Sequence, residues 1–237
     1  RKADRMKIGV YGGSFNPPHL GHVRAARACK EALGLDCVLV IPASIPPHKQ
    51  MASGSATAME RLKLTQLAFS QLPGFAVLDM ELRREGKSYT VDTIRALKEQ
   101  YKQSDLYLMM GTDMFLSFQD WYCPEEIAKN ARLVCFSRYD ADAKNRESLL
   151  KQADALEVRF GNRPVLLEND CFDISSTEAR RLLRFKIAAP YLPEAVLREI
   201  EAEGLYGVGE NDKGLSFERL KDVSLALHKP SRVPHAI

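Results

Sequence analysis

Short apolar runs alternate with amphipathic stretches along this chain. Lys7 to Tyr11 (KIGVY), Cys37 to Ile41 (CVLVI), Phe75 to Leu78 and Leu106 to Met110 (LYLMM) read as buried strands. Leu133 to Phe136 and the shorter Val165 to Leu167 read the same way. Between them, His19 to Leu33 has helical spacing, with Val23, Ala26, Cys29 or Lys30, and Leu33 on one side. Ala58 to Gln71 and Val91 to Tyr101 also predict helices, the latter starting near Tyr89 or Thr90. Ser175 to Arg184 and Glu194 to Glu203 predict closing helices, with Pro193 where a first-turn proline is tolerated. Ala43 to Thr57 is too interrupted by Pro, Ser and Gly for regular structure. Asp140 to Arg163 is polar and weakly patterned, and predicts a helix in a surface excursion.

Strands that are apolar throughout, separated by helices, predict an α/β fold with a parallel sheet covered on both faces. Ligands bind such sheets beyond the carboxyl ends of the strands, so the loops after strands carry the chemistry.

Composition narrows the picture. The chain has 237 residues, enough for one α/β domain with a full core and a short appendage. Hydrophobic residues make up 45% and charged residues 27%, the balance of a globular protein. The net charge is only +3 with no long Lys/Arg run, which argues against nucleic acid as the partner. Five cysteines with no CxxC pair argue against zinc or a disulfide framework, and point to thiols in a reducing cytoplasm. No apolar run approaches the roughly 18 residues of a membrane span. Arg1 to Arg5 (RKADR) lacks an apolar stretch and reads as an addition ahead of a start at Met6.

The most informative stretch, Gly12 to His22 (GGSFNPPHLGH), follows the first strand directly. Gly12 and Gly13 permit backbone conformations and close approaches that a side chain would block. Pro17 and Pro18 make a rigid turn into a helix. His19 and His22 then share one side of the positive helix end, where backbone N–H groups attract phosphate. The order is neither G-x-G-x-x-G nor GxxxxGK[ST]. A metal at the two histidines is the weaker reading, because no third ligand lies in the stretch. Far along the chain, Ile174 to Arg180 (ISSTEAR) offers hydroxyls at a helix start, with a forked cation one turn on.

Taken together, these two stretches resemble the HxGH and ISSTxxR signatures of the nucleotidylyltransferases. The whole string GGSFNPPHLGH resembles the bacterial nicotinate mononucleotide adenylyltransferases. So do IPPHK (Ile45 to Lys49), SYTVDT (Ser88 to Thr93), and GTD (Gly111 to Asp113) followed by Trp121. The resemblance covers Met6 to about Gly207. It implies a Rossmann-like doubly wound parallel sheet of nucleotidylyltransferase type, with a short helical C-terminal region. It implies adenylyl transfer from ATP, with Mg²⁺, to nicotinic acid mononucleotide, with His22 and His19 as the catalytic pair. ATP contacts are implied at Gly13, Ser14, Phe15, His19, His22, Asp113, Ile174, Ser176, Thr177 and Arg180. Mononucleotide contacts are implied at Lys49, Thr90, Trp121 and Tyr122. The family commonly has Arg-Pro-Gly after the fifth strand, whereas Arg138 here precedes Tyr139 and Asp140.

Two rival functions stand beside this one. Phosphopantetheine adenylyltransferases and cytidylyltransferases share HxGH, without the combination of GSFNPPH, IPPHK and the Trp. A non-catalytic nucleotide-binding module would bind ATP without turnover. The glycine-rich Gly204 to Gly214 reads as a boundary, which leaves 208–237 as linker and tail. RVPHAI near the end faintly resembles the opening of an HD-type phosphohydrolase domain, and a packing tail is the equal alternative.

Overall fold

The computed structural model describes residues 5–46, 50–138, 143–169 and 174–208. Its strands are β1 (Lys7–Gly13), β2 (Cys37–Pro42), β3 (Phe75–Val77), β4 (Asp105–Gly111), β5 (Ala131–Arg138) and β6 (Val165–Asn169). They form one sheet in the order β3-β2-β1-β4-β5-β6, and every pairing is parallel. Helices α1 (Leu20–Leu33), α2 (Ala58–Phe69), α3 (Thr90–Gln100), α4 (Thr112–Leu116), α5 (Pro124–Asn130), α6 (Ala143–Phe160), α7 (Ser176–Arg184) and α8 (Glu194–Glu203) connect and close it.

Alternation along the strands divides the core in two. Tyr11, Val38, Val40, Met109 and Val134 face a cluster built with α1, α2, α7 and α8. Ile8, Val10, Leu39, Ile41, Leu108 and Cys135 face the other, built with α3, α5 and α6. Each fully buried aliphatic or aromatic side chain contributes about 1.5–3 kcal/mol. Gly9 is needed for the first layer to close. A Cβ there would lie 2.9 Å from Leu35 Cδ1 and 3.0 Å from both the Met109 sulfur and Val38 Cγ2.

The segment expected to form a surface excursion is instead a structural layer. Ala153, Leu149 and Leu156 of α6 are buried in the second core cluster. Its apolar positions recur at helical spacing, but charged neighbours hide the stripe. The short helices α4 and α5 have no counterpart in the sequence reading. Both are too short to show a period.

Local chemistry sets the helix ends. Thr57 and Glu60 form a reciprocal cap on α2: Thr57 N donates to Glu60 Oε2 at 2.7 Å, and Glu60 N to Thr57 Oγ1 at 3.3 Å. α1 stops at Gly34 and α8 at Gly204, both in the left-handed conformation that glycine tolerates. Beyond Gly204, Tyr206 is buried against the first core cluster, so the chain to Val208 belongs to the domain. The tail from 209 lies outside the described residues. No helix among the described residues is long and apolar enough to cross a membrane.

Candidate active site

β1 pairs with β2 on one side and β4 on the other, and the chain winds outward in both directions from this pair. The carboxyl ends of β1 and β4 therefore flank the crevice where such sheets bind ligands. Gly13 ends β1 and Gly111 ends β4. The two signature loops thus begin side by side, although about 100 residues separate them in sequence.

After β1 the chain turns through Ser14, Phe15 and Asn16. The need for Gly13 is steric rather than conformational. Neither Gly12 nor Gly13 has a positive φ, but a Cβ on Gly13 would sit 3.1 Å from the Phe15 ring. It is Phe15 that adopts the left-handed region, at φ 43°. That backbone is costly for a side chain of this size and is held by tight packing. The Phe15 ring is buried edge-on to Tyr11 at 5.5 Å and to His22 at 5.1 Å. Any contact Phe15 makes in the crevice is therefore through its backbone.

His19 and His22 cap α1 reciprocally. His22 N donates to His19 Nδ1 at 3.3 Å, and His19 N donates to His22 Nδ1 at 3.1 Å. The two rings stack, with centroids 3.6 Å apart. Each ring accepts through Nδ1, so the proton of a neutral imidazole sits on Nε2. The cap fixes the tautomer as well as the orientation. Two Nε2–H donors are held at a helix N-terminus, where the dipole already favours an anion.

α7 comes back across the sheet to the same loop. Ser175 is its N-cap and accepts from Glu178 N at 3.1 Å. Ser176 Oγ donates to Pro17 O at 3.0 Å. Arg180 Nη1 donates to Asn16 O at 2.6 Å, and its Nη2 to Thr177 Oγ1 at 3.2 Å. ISSTEAR and GGSFNPPHLGH are thus one hydrogen-bonded unit. Ile174 is buried in the first core cluster, which leaves its backbone as the part able to meet a ligand.

Asp113 is exposed in the first turn of α4, directly after β4. Trp121 is half-buried and packs on Phe118 with ring centroids 5.3 Å apart. Tyr122 is exposed, and its ring lies 4.9 Å from Tyr89, the N-cap residue of α3. Thr90 follows Tyr89, so the fold brings the start of α3 beside Tyr122. Lys49 and its neighbour His48 lie outside the described residues. The backbone of Arg138 closes β5.

Two groups that shape the site were not foreseen. Arg61 is fully buried in α2. Its Nη1 donates to Ser14 O at 2.7 Å and to Ala43 O at 2.8 Å, and its Nη2 to Ser44 O at 3.0 Å. One guanidinium therefore ties the loop after β1 to the loop after β2, and burial lowers its pKa. In a trans peptide the next N–H points opposite to the carbonyl, so the N–H groups of Phe15 and Ile45 face away from Arg61. The second group is Glu81, buried beside Thr93 and Ser88. A sequence signal existed for Arg61 alone: it lies on the stripe with Leu64, Thr65 and Ala68, where an arginine is out of place.

This geometry is that of a nucleotidyl-transfer site. Residues 10–182 match the cytidylyltransferase-like family, and the chain belongs to it. Its curated relatives narrow this further. A probable nicotinate-nucleotide adenylyltransferase of Geobacter sulfurreducens is 39% identical over 213 residues, covering 85% of this chain and 98% of that protein. One from Gloeobacter violaceus is 37% identical, covering 85% and 97%. The chain is therefore a member of the nicotinate-nucleotide adenylyltransferase family. The fold is shared with the Plasmodium falciparum nicotinic acid mononucleotide adenylyltransferase complexed with NaAD, at TM-score 0.68 and 19% identity over 87% of this chain and all of that one.

Proposed function

We infer that this chain transfers the adenylyl group of ATP to nicotinic acid mononucleotide, giving the deamido dinucleotide and pyrophosphate. The observation that carries the reading is the reciprocal His19–His22 cap, joined to α7 at the β1–β4 crevice. The mononucleotide phosphate attacks the α-phosphorus in line. One P–O bond forms there, and the bond to the β-phosphate bridge breaks. No protein nucleophile takes part. Catalysis consists of positioning and of stabilising charge on the phosphoryl oxygens.

In this reading the His22 Nε2–H meets the oxygens whose charge grows in the transition state, and His19 supports it. Gly13, Ser14 and Phe15 offer backbone to the triphosphate. Ser176, Thr177 and Arg180 form its far wall, with Ile174 contributing backbone, and Asp113 takes the adenosine ribose. Trp121 carries the pyridine ring, Thr90 and the Tyr122 amide hold its carboxylate, and Lys49 meets the mononucleotide phosphate. Among the described residues no three metal-ligating side chains converge. Mg²⁺ entering with ATP would supply positive charge to offset that of the departing pyrophosphate, as this ion commonly does with phosphates. The cytoplasm is the proposed setting, in keeping with the free thiols of Cys29, Cys37, Cys123 and Cys135.

Pyrophosphate release with ATP, Mg²⁺ and each mononucleotide in turn tests the function. Nicotinic acid mononucleotide should support turnover and the amide form much less. Equal rates would remove the preference for the acid. No release with either would remove the adenylyl-transfer reading.

A further inference from the structure

Glu81 is one of the few charged side chains buried in this domain, at 6% exposure. It lies in the turn between β3 and α3. Its Oε1 accepts from Thr93 Oγ1 at 2.6 Å. The nearby Ser88 hydroxyl favours the ionised form of this carboxylate. Ser88 Oγ in turn accepts from Ser44 N at 3.0 Å, and Ser88 N donates to Ile45 O at 2.9 Å. Thr93 Oγ1 receives Arg84 Nη1 at 2.9 Å. The knot therefore joins three segments: the turn carrying Glu81, the loop after β2, and the start of α3. Thr90 lies between Ser88, tied to the loop after β2, and Thr93, tied to the carboxylate. Tyr89 has no side-chain cap hydrogen bond to offer α3. The side-chain hold on this end of the helix comes from Glu81 and from Arg84, whose Nη2 also donates to Asp92 O at 3.2 Å.

We propose that Glu81 is a positioning residue for the mononucleotide: by holding the Thr93 hydroxyl, beside the Ser88 that ties down the loop after β2, it fixes Thr90 for substrate binding. The role rests on the adenylyl-transfer reading above. An ionised carboxylate only accepts, as it does from Thr93 Oγ1. A protonated one carries a donor hydrogen as well and gives up the charge that strengthens this bond. Burial pushes this carboxyl up to about 7, against the opposing effects of Thr93, Arg84 and Ser88. The charged groups that face it are Arg84 from its own turn and Asp92 from α3. The hold on Thr90 thus weakens as pH falls through neutrality.

Steady-state kinetics of the wild type and Glu81→Gln, at about pH 6 and about pH 8, test this. In the wild type, KM for the mononucleotide should rise on acidification, while KM for ATP changes less than about twofold. In Glu81→Gln, the mononucleotide KM should be raised about fivefold to tenfold at the higher pH, with kcat within about twofold. The variant's further rise on acidification should be smaller than that of the wild type. Ionisation of the substrate phosphate is common to both proteins, so the difference between them reports Glu81. An unchanged KM, or an equal rise for both substrates, overturns the proposal. A wild type without turnover would instead overturn the function. The positioning claim is then decided by amide exchange in the ligand-free proteins. The Ser88 amide should exchange about tenfold faster in Glu81→Gln. An unchanged rate overturns the proposal.

Discussion

The two walls of the crevice are built on different principles. The proposed triphosphate wall is local. Between Gly12 and His22 the chain supplies its own glycine, its own turn and its own reciprocal cap, and α7 then docks onto it through Ser176 and Arg180. The proposed mononucleotide wall has no such unit. Thr90, Trp121 and Tyr122 come from two connections, joined by the Tyr89–Tyr122 ring contact, and the helix that Thr90 begins is tied through Thr93 to a buried carboxylate. A site made from one short segment can be recognised by its string. A site made from a hydrogen-bond knot cannot, because its members have no fixed spacing.

The largest break in this comparison should come from His22→Ala. Removing a donor aimed at developing phosphoryl charge should lower kcat by about 10²–10³-fold, with KM for ATP changed only a few-fold. Steady-state kinetics over an ATP titration would check it, and a kcat near the wild-type value would remove His22 from the transition state. Losing its Nδ1 acceptor should also cost α1 about 1 kcal/mol, visible in urea unfolding.

Glu81→Gln sharpens the contrast through stability. The folded value of about 7 lies above the ordinary carboxyl value of 4.5. Between these two pH values the folded protein binds more protons than the unfolded chain, so stability falls as pH rises. The loss should total about 3 kcal/mol across the window and be complete above it. Urea midpoints of the wild type and the variant, compared at several pH values, should show this slope in the wild type and its absence in Glu81→Gln. Matching slopes would show that Glu81 does not titrate there.

Ser176→Ala is the smallest expected effect. It removes one half-buried hydrogen bond to Pro17 O and should cost about 1 kcal/mol of stability. If α7 and the first loop are one unit, KM for ATP should rise as well, while KM for the mononucleotide stays put. A change in the mononucleotide KM alone would place Ser176 on the wrong wall.

Much of the fold was legible because burial leaves a period. Continuous apolar runs marked all six strands, and the parallel arrangement followed from the helices between them. The exceptions were the burial of α6, expected as a surface helix because charged neighbours break its apolar stripe, and the very short α4 and α5. His19, His22, Ser175 and Arg180 were legible for a different reason. Capping and anion binding act over three or four residues, so their spacing is written in the chain.

The sequence by itself determined the parallel sheet and the turn from β1 into α1. Only the tertiary structure decided that His19 and His22 cap α1 reciprocally, that α7 docks on the loop after β1, that Arg61 joins two loops through their carbonyls, and that Glu81 accepts from Thr93. The last three link positions far apart in the chain. They depend on burial, which makes an arginine or a glutamate, unremarkable at the surface, the partner on which several hydrogen bonds converge.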